Sequence, residues 1–227
     1  MRFTSEVEIW NLALSRMGHV KVQHASERSR AAIECRHSYP VIIGMFLEEF
    51  DWSFARSHVT LAKLDEAEAV DGWLLAYAWP TNAVAIRRIR NPFAPPLSGS
   101  RSYYDPYALP PVIAQYPAFD GNDPIVPFEI MRRDDDGTMK ILCDMPDAEA
   151  RVTMDVSADV STFPMTFVNA VAYELQADLT MSITKDANKA VLAKQLRSVA
   201  WDIATTSNHN QAHPRRKSVP RSIAARG

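Results

Sequence analysis

The chain has 227 residues, 47% of them hydrophobic, with 25 Lys and Arg against 27 Asp and Glu and a formal net charge of −2. That length and apolar fraction suit one domain, or one domain plus a sizeable insertion, with a real core. No apolar run is long enough to span a bilayer, and the balance of charge excludes a general DNA-binding protein, which would show a basic face. The first ten residues carry acids where a secretion signal needs an apolar stretch, so the chain is expected to begin in a cytoplasm. The charge is uneven. No Asp or Glu follows Asp202, and Arg215, Arg216, Lys217, Arg221 and Arg226 bring five positive charges to the end, so that a net −2 overall leaves the remainder near −7. Cys35 and Cys143 stand in apolar patterns and read as reduced core thiols.

In chain order, residues 6–17 read as a first helix with Val7, Trp10, Leu14 and Met17 as its apolar stripe. Ser5 and Glu8 fit a capping box, and Gly18 suits the left-handed position past the helix end. A short linker predicts that the second helix returns beside the first, with Ser26 as its cap. Residues 31–56 form a long amphipathic stretch that ends in an aromatic knot. Cys35, Tyr39, Ile42, Ile43, Phe46, Leu47 and Phe50 fall on one face, and Glu34, His37, Ser38, Glu48 and Glu49 largely on the other. Pro40 inside this pattern predicts a kink.

After Trp52 the period changes. SHVTLAKL alternates as a strand does. Residues 65–71 are an acidic loop or one helical turn. WLLAYAWP and AVAIRRIR read as two strands joined around Pro80, Thr81 and Asn82, with Pro80 placing the first at a sheet edge or ending it. Residues 91–127 hold nine of the fifteen prolines and four of the seven tyrosines, a density no helix survives. This stretch is read as a long loop that orders on contact, with Tyr103, Tyr104, Tyr107 and Tyr116 as candidate interface residues, because tyrosine is enriched at interfaces. The other reading folds the loop over its own domain. Residues 128–133 and 138–145 flank Asp136-Gly137 as a hairpin, and RVTMDVS can add a third strand.

A third helix is predicted to begin near Pro164, with Phe167, Val171, Leu175 and Leu179 along it. A fourth runs over 186–204 with Leu192, Leu196, Val199 and Ile203 as its stripe, making an antiparallel hairpin with the third. The fold class that follows is α+β. Helices in 1–52 and 161–205 make a four-helix bundle, a small antiparallel sheet is inserted over 53–160 with the loop at 91–127, and 206–227 is a flexible basic tail.

An ordered set of motifs adds a likeness. Cys35, Arg36 and Tyr39, then Trp52, Phe54 and Ala55, then Tyr77 and Pro80 before AVAIRRI, then Phe163, Phe167, Ala170 and Ala172 occur in the order and spacing of one family over most of the chain, leaving 91–127 unmatched. In these residues the chain resembles the phage head-to-tail adaptors, or tail tubular protein A, of short-tailed phages. The resemblance implies a virion protein that forms a ring, commonly of twelve copies, between the portal and the tail nozzle. The genome passes through such a ring without specific binding. On this reading Arg215, Arg216, Lys217 and Arg221 form a tail that orders on the portal.

The search for chemistry points the same way. The seven glycines are scattered, whereas a phosphate-cradling loop needs them clustered. Asp134, Asp135 and Asp136 lack the alternate acids and distal Glu of a calcium loop and read as a solvated hairpin tip. His209 and His213 are four apart, but Pro214 argues against a helical zinc pair. No Gly-x-Ser-x-Gly elbow occurs. Glu48, Glu49 and Asp51 are the carboxylates a glycosidase would need, and as neighbours on a helix end they read first as a solvated face. The expectation is a structural protein with no catalytic residue, cofactor or metal. The alternatives are a tail-associated carbohydrate-active enzyme using Glu48, Glu49 or Asp51, and a nucleic-acid-binding protein acting through its basic C-terminal arm.

Overall fold

The computed structural model describes residues 3–64, 72–90, 126–133 and 137–212. Among these, four α-helices and two three-stranded antiparallel sheets give the α+β class. The chain divides into two compact units. One, mainly helical, takes residues 1–43, 52–54 and 159–227; the other, mainly sheet, takes 44–51 and 55–158.

The helical unit begins with α1 (Glu6–Met17), which buries Ile9, Trp10, Ala13 and Leu14. Gly18 ends it at φ 73°, and the amides of Gly18 and His19 reach back to the carbonyls of Ser15 and Leu14. A residue with a Cβ would be strained there. The start differs from the capping box expected. Ser5 makes no side-chain cap bond. Glu8 instead reaches one residue further back, accepting from the Thr4 amide at 2.7 Å and from its hydroxyl at 3.3 Å. Asn11 then pins the linker, donating to the Val22 carbonyl and accepting from the Val22 amide, both at 2.8 Å.

Helix α2 (Arg30–Glu49) runs through Pro40. Cys35, Tyr39, Ile42, Ile43, Phe46 and Leu47 of the expected stripe are buried. The Tyr39 ring meets Trp10 of α1 edge-on at 6.2 Å. Helix α3 (Met165–Leu179) is the most enclosed of the described helices. Phe167, Val168, Val171, Leu175 and Leu179 are buried, as are its alanines at 170, 172 and 177. Pro164 stands at its cap rather than inside its first turn. Arg16 of α1 stacks over the Tyr173 ring at 3.8 Å, tying α1 to α3. A π-helical turn, Thr180–Thr184, follows directly, closed by the Lys185 amide on the Thr180 carbonyl at 2.9 Å, and Lys185 sits at φ 56°. Arg30 at the start of α2 donates to the Ser182 carbonyl in this turn.

Helix α4 (Ala187–Ala212) packs against α3 and carries the largest correction. The expected inward stripe faces outward: Leu192, Val199 and Ile203 are more than half exposed and Leu196 is 38% exposed. The buried residues are Ala190, Ala193, Ala200, Ala204 and Asn208. Small side chains let two backbones approach, and α3 supplies the bulky partners. Arg197 meets Glu174 of α3 at 2.9 Å. The helix also runs past 204 to Ala212, and over residues 205–210 it buries Asn208 rather than an apolar stripe.

The aromatic knot belongs to the helical unit. Trp52 packs edge-on against Phe167 at 4.9 Å and Trp201 at 5.4 Å, and Phe54 meets Phe163 and Phe167. Asn208 fastens the turn, accepting from the Ser53 amide at 2.7 Å.

In the sheet unit one sheet was expected and two are found. The first has the order β1 (Arg56–Thr60), β6 (Glu149–Met154), β3 (Ala83–Arg90). The second has the order β2 (Leu75–Ala78), β5 (Met139–Cys143), β4 (Glu129–Arg132). The β4–β5 hairpin forms as its turn signal implied, pairing Ile130 with Ile141 and Met131 with Lys140. Gly137 in its turn sits at φ 72°, and a Cβ there would lie 2.8 Å from the Arg132 guanidinium. Its third strand is β2, however, while β6 pairs with β1 and β3. The strands β2 and β3 therefore do not form a hairpin with each other. Asn82 takes φ 60° after Pro80, and the chain turns the corner from one sheet to the other. Residues 61–64 link the sheets: Leu61 bonds to Ala148 beside β6, and Leu64 and Ala78 bond across to Ala76 and Ala62. The core holds Tyr77, Ile86, Ile89, Ile141, Val152 and neighbours.

Candidate functional site

Of the three carboxylates considered for catalysis, Glu48 and Glu49 are exposed at the end of α2, and Asp51 meets cations. Asp51 follows the end of α2, and its carboxylate accepts from Arg56 Nε at 3.0 Å and from Arg151 Nη2 of β6. Arg87 of β3 completes the group. Its Nε donates to the Thr153 hydroxyl at 2.7 Å, and its Nη2 donates to the carbonyls of Leu47 at 2.7 Å and Phe50 at 2.9 Å. A helix end leaves its last carbonyls without amide partners, and a guanidinium there meets both the hydrogen-bond need and the negative end of the dipole. Burial pushes the Arg87 pKa down, and the nearby Asp51 and Glu48 carboxylates work against that push. The arrangement holds the end of α2 against the first sheet; it presents no pair of facing carboxylates across a cleft, as glycoside hydrolysis requires.

Arg87 and Arg151 were not singled out by sequence. For Arg87 the signal was the run AVAIRRIR, in which arginine interrupts a strand otherwise apolar. An arginine kept inside an apolar strand marks an acceptor cluster waiting for it.

His58 on β1 lies among cations. Its Nδ1 is 3.5 Å from Arg90 Nη1. Burial first, then Arg90 and Arg151, push its pKa below the usual histidine value. Both thiols are buried and reduced, and burial raises Cys35 to about 12 and Cys143 to about 11, far from a reactive thiolate. Among the described residues, no three His, Cys, Asp or Glu side chains gather as metal ligands would. No described helix is long and apolar enough to cross a membrane.

Tyr103, Tyr104, Tyr107 and Tyr116 lie outside the described residues, as do Arg215, Arg216, Lys217 and Arg221. So do Asp134, Asp135, Asp136 and His213, whereas His209 stands in the last turns of α4.

The surface that stands out is the outer side of α4. Val191, Leu192, Leu196, Val199 and Ile203 are all exposed, with Asp202 and Thr206 beside them. Val199, Asp202, Ile203, Thr206, Ser207 and Asn210 line a shallow groove. Scattered exposed apolar residues are ordinary, whereas here they form a row along one helix. No family model and no curated protein matches this chain. The residues that carry the likeness to head-to-tail adaptors are mostly core. Cys35, Tyr39, Trp52, Ala55, Tyr77, Phe163, Phe167, Ala170 and Ala172 are buried. Arg36 is exposed and donates to the Glu27 carbonyl at 2.8 Å. The likeness is therefore one of internal packing, and it brings no set of site residues with it.

Proposed function

We propose that this chain is a structural adaptor of the head-to-tail kind, a ring-forming virion component seated between a portal and the next tail component, with the genome passing through the ring. The observation that carries the reading is the outward apolar row on α4, held on a helix whose inner face is packed by small residues against α3. Such a row, presented on a rigid element, serves assembly rather than turnover. The ordered motif set from Cys35 to Ala172 supports the same reading through its likeness to that family. The tie of Asp51 to Arg56 and Arg151 weighs against the carbohydrate-active alternative, because that carboxylate is engaged in holding the fold. A nucleic-acid-binding arm would rest on residues 213–227, and no described feature favours it.

The test is the mass of the protein by light scattering after size exclusion, alone and with the portal ring of its phage. Weak identical contacts strengthen once a template fixes them. The expected result is a stoichiometric ring on the portal. A chain that never joins the portal overturns the adaptor reading, and cleavage of cell-wall polysaccharide would then be assayed.

A further inference from the structure

The helical unit carries a second exposed apolar face besides that of α4. On α2, Ile33 is 41% and Val41 61% exposed, and His37 and Pro40 between them are exposed too. This face is the reverse of the buried one formed by Cys35, Tyr39 and Ile42. We infer that the α4 face of one copy docks, antiparallel, on the α2 face of a second copy of this chain, with Leu196 against Val41, Ile203 against Ile33, and Asp202 beside Arg36. The inference deepens the ring reading and rests on it for closure of the assembly.

Three observations support the pairing. The lengths match: Ile33 to Val41 spans about 12 Å and Leu196 to Ile203 about 10.5 Å at the rise of an α-helix. The chemistry is apolar on both sides, and neither face is covered among the described residues. The charges are opposite and correctly placed. Arg36 precedes His37 of its row by one residue, and Asp202 precedes Ile203 of its row by one residue, so both stand on the same-handed shoulder. Antiparallel facing helices bring like shoulders together, as flanking charges do in coiled coils. In the register that sets Leu196 on Val41, Asp202 falls beside Arg36. The α4 row could also be imagined against itself about a two-fold axis, since its spacing of four, three and four reads alike in both directions. That arrangement gives Asp202 no cation across from it.

A contact between two unlike faces of one chain is heterologous. Repeated, it makes a closed ring when the rotation closes and a filament when it does not. An isologous pair would stop at two copies.

The test is disulfide trapping in the full-length protein at high concentration, mixing variants that each carry one added cysteine. Cys35 and Cys143 are buried and do not compete. Mixtures of I33C with I203C, and of V41C with L196C, are expected to cross-link between chains, about tenfold or more faster than the mismatched I33C with L196C. All four positions are exposed, so the variants keep the fold. Added to the cysteine variants, D202R or R36D alone is expected to remove most of the matched product, and the two together to restore it. A prevailing I203C–I203C product, equal rates for matched and mismatched pairs, or no product between chains would overturn the proposal. Cross-linking without portal binding leaves the interface standing and the adaptor reading fallen. Undiminished rings on the portal from an L196D variant do the reverse.

Discussion

Replacing Arg87 with Met keeps most of the aliphatic stem and removes every donor. Three acceptors lose a partner at once: the carbonyls of Leu47 and Phe50 and the hydroxyl of Thr153, a fully buried residue. Hydrogen bonds to a charged donor contribute roughly 1.5–3 kcal/mol each, which would set a ceiling well above 4 kcal/mol. The burial that lowers the Arg87 pKa shows that the cation itself is costly to hold there, and its removal gives part of that back. The expected loss is about 2–4 kcal/mol. Arg87→Lys should recover only a fraction, because an ammonium cannot span acceptors on a strand and on a helix end in one plane. Urea unfolding measures the loss. Amide hydrogen exchange locates it, with faster exchange over β3, β6 and the last turn of α2. A loss for Arg87→Met within about 0.5 kcal/mol, the size of an ordinary surface change, would refute the reasoning.

The two faces of α4 make opposite predictions. Ala193→Leu should cost about 1–3 kcal/mol by overpacking against α3, and Leu196→Ala should fall within about 0.5 kcal/mol in the monomer; comparable thermal shifts for both would reverse the assignment of faces. The Tyr39 hydroxyl and the Trp10 indole N–H are buried without a partner among the described residues, so Tyr39→Phe should leave stability unchanged or raise it by about 1 kcal/mol in chemical denaturation, and a clear loss would reveal a bond to that hydroxyl. His58 has a folded pKa below its unfolded 6.5. The unfolded chain therefore binds the extra proton first as pH falls, and the stability His58 contributes is full above pH 6.5 and declines below it until the folded form also protonates. The variant His58→Asn should flatten the midpoint-versus-pH curve in that window; an unchanged slope would place the effect elsewhere.

Much of the fold could be read from residue order. The closing Gly18 of α1, the buried row of α2 from Cys35 to Leu47, and the hairpin around Gly137 followed from period and turn chemistry, because each is decided within about twenty residues; of the α1 stripe only Trp10 and Leu14 are buried, with Ile9 and Ala13 in place of Val7 and Met17. The failures share a cause. In α4 two faces compete, Leu192–Ile203 on one and Ala190–Ala204 on the other. Periodicity finds both, but which one turns inward depends on how closely α3 approaches. RVTMDVS was expected beside the 128–145 hairpin because it follows in sequence, yet β6 pairs with β1 and β3, and the distant β2 takes the place beside β5. The clamp at Arg87 depends on acceptors forty residues upstream and sixty-six downstream. The outward face of α4 was visible as a stripe of large side chains, and it was misread as core.

The helical unit is assembled from both ends of the chain, with residues 44–51 and 55–158 set between them. This has a consequence for timing during synthesis. The sheet unit is nearly continuous and has all its described strands once residue 154 has been made. The helical unit lacks α3, its most enclosed helix, until residue 179, and α4 until residue 212. Domains fold as units as they leave the ribosome, so the sheet unit is complete first and waits on the helices. Ribosome-bound chains stalled so that about 160 residues are exposed should protect the sheet unit from protease while residues 1–43 remain cleavable. Protection of both at that length would show that α1 and α2 find a stable home before α3 exists. Chains not yet extended to Leu192 lack the apolar row of α4 altogether.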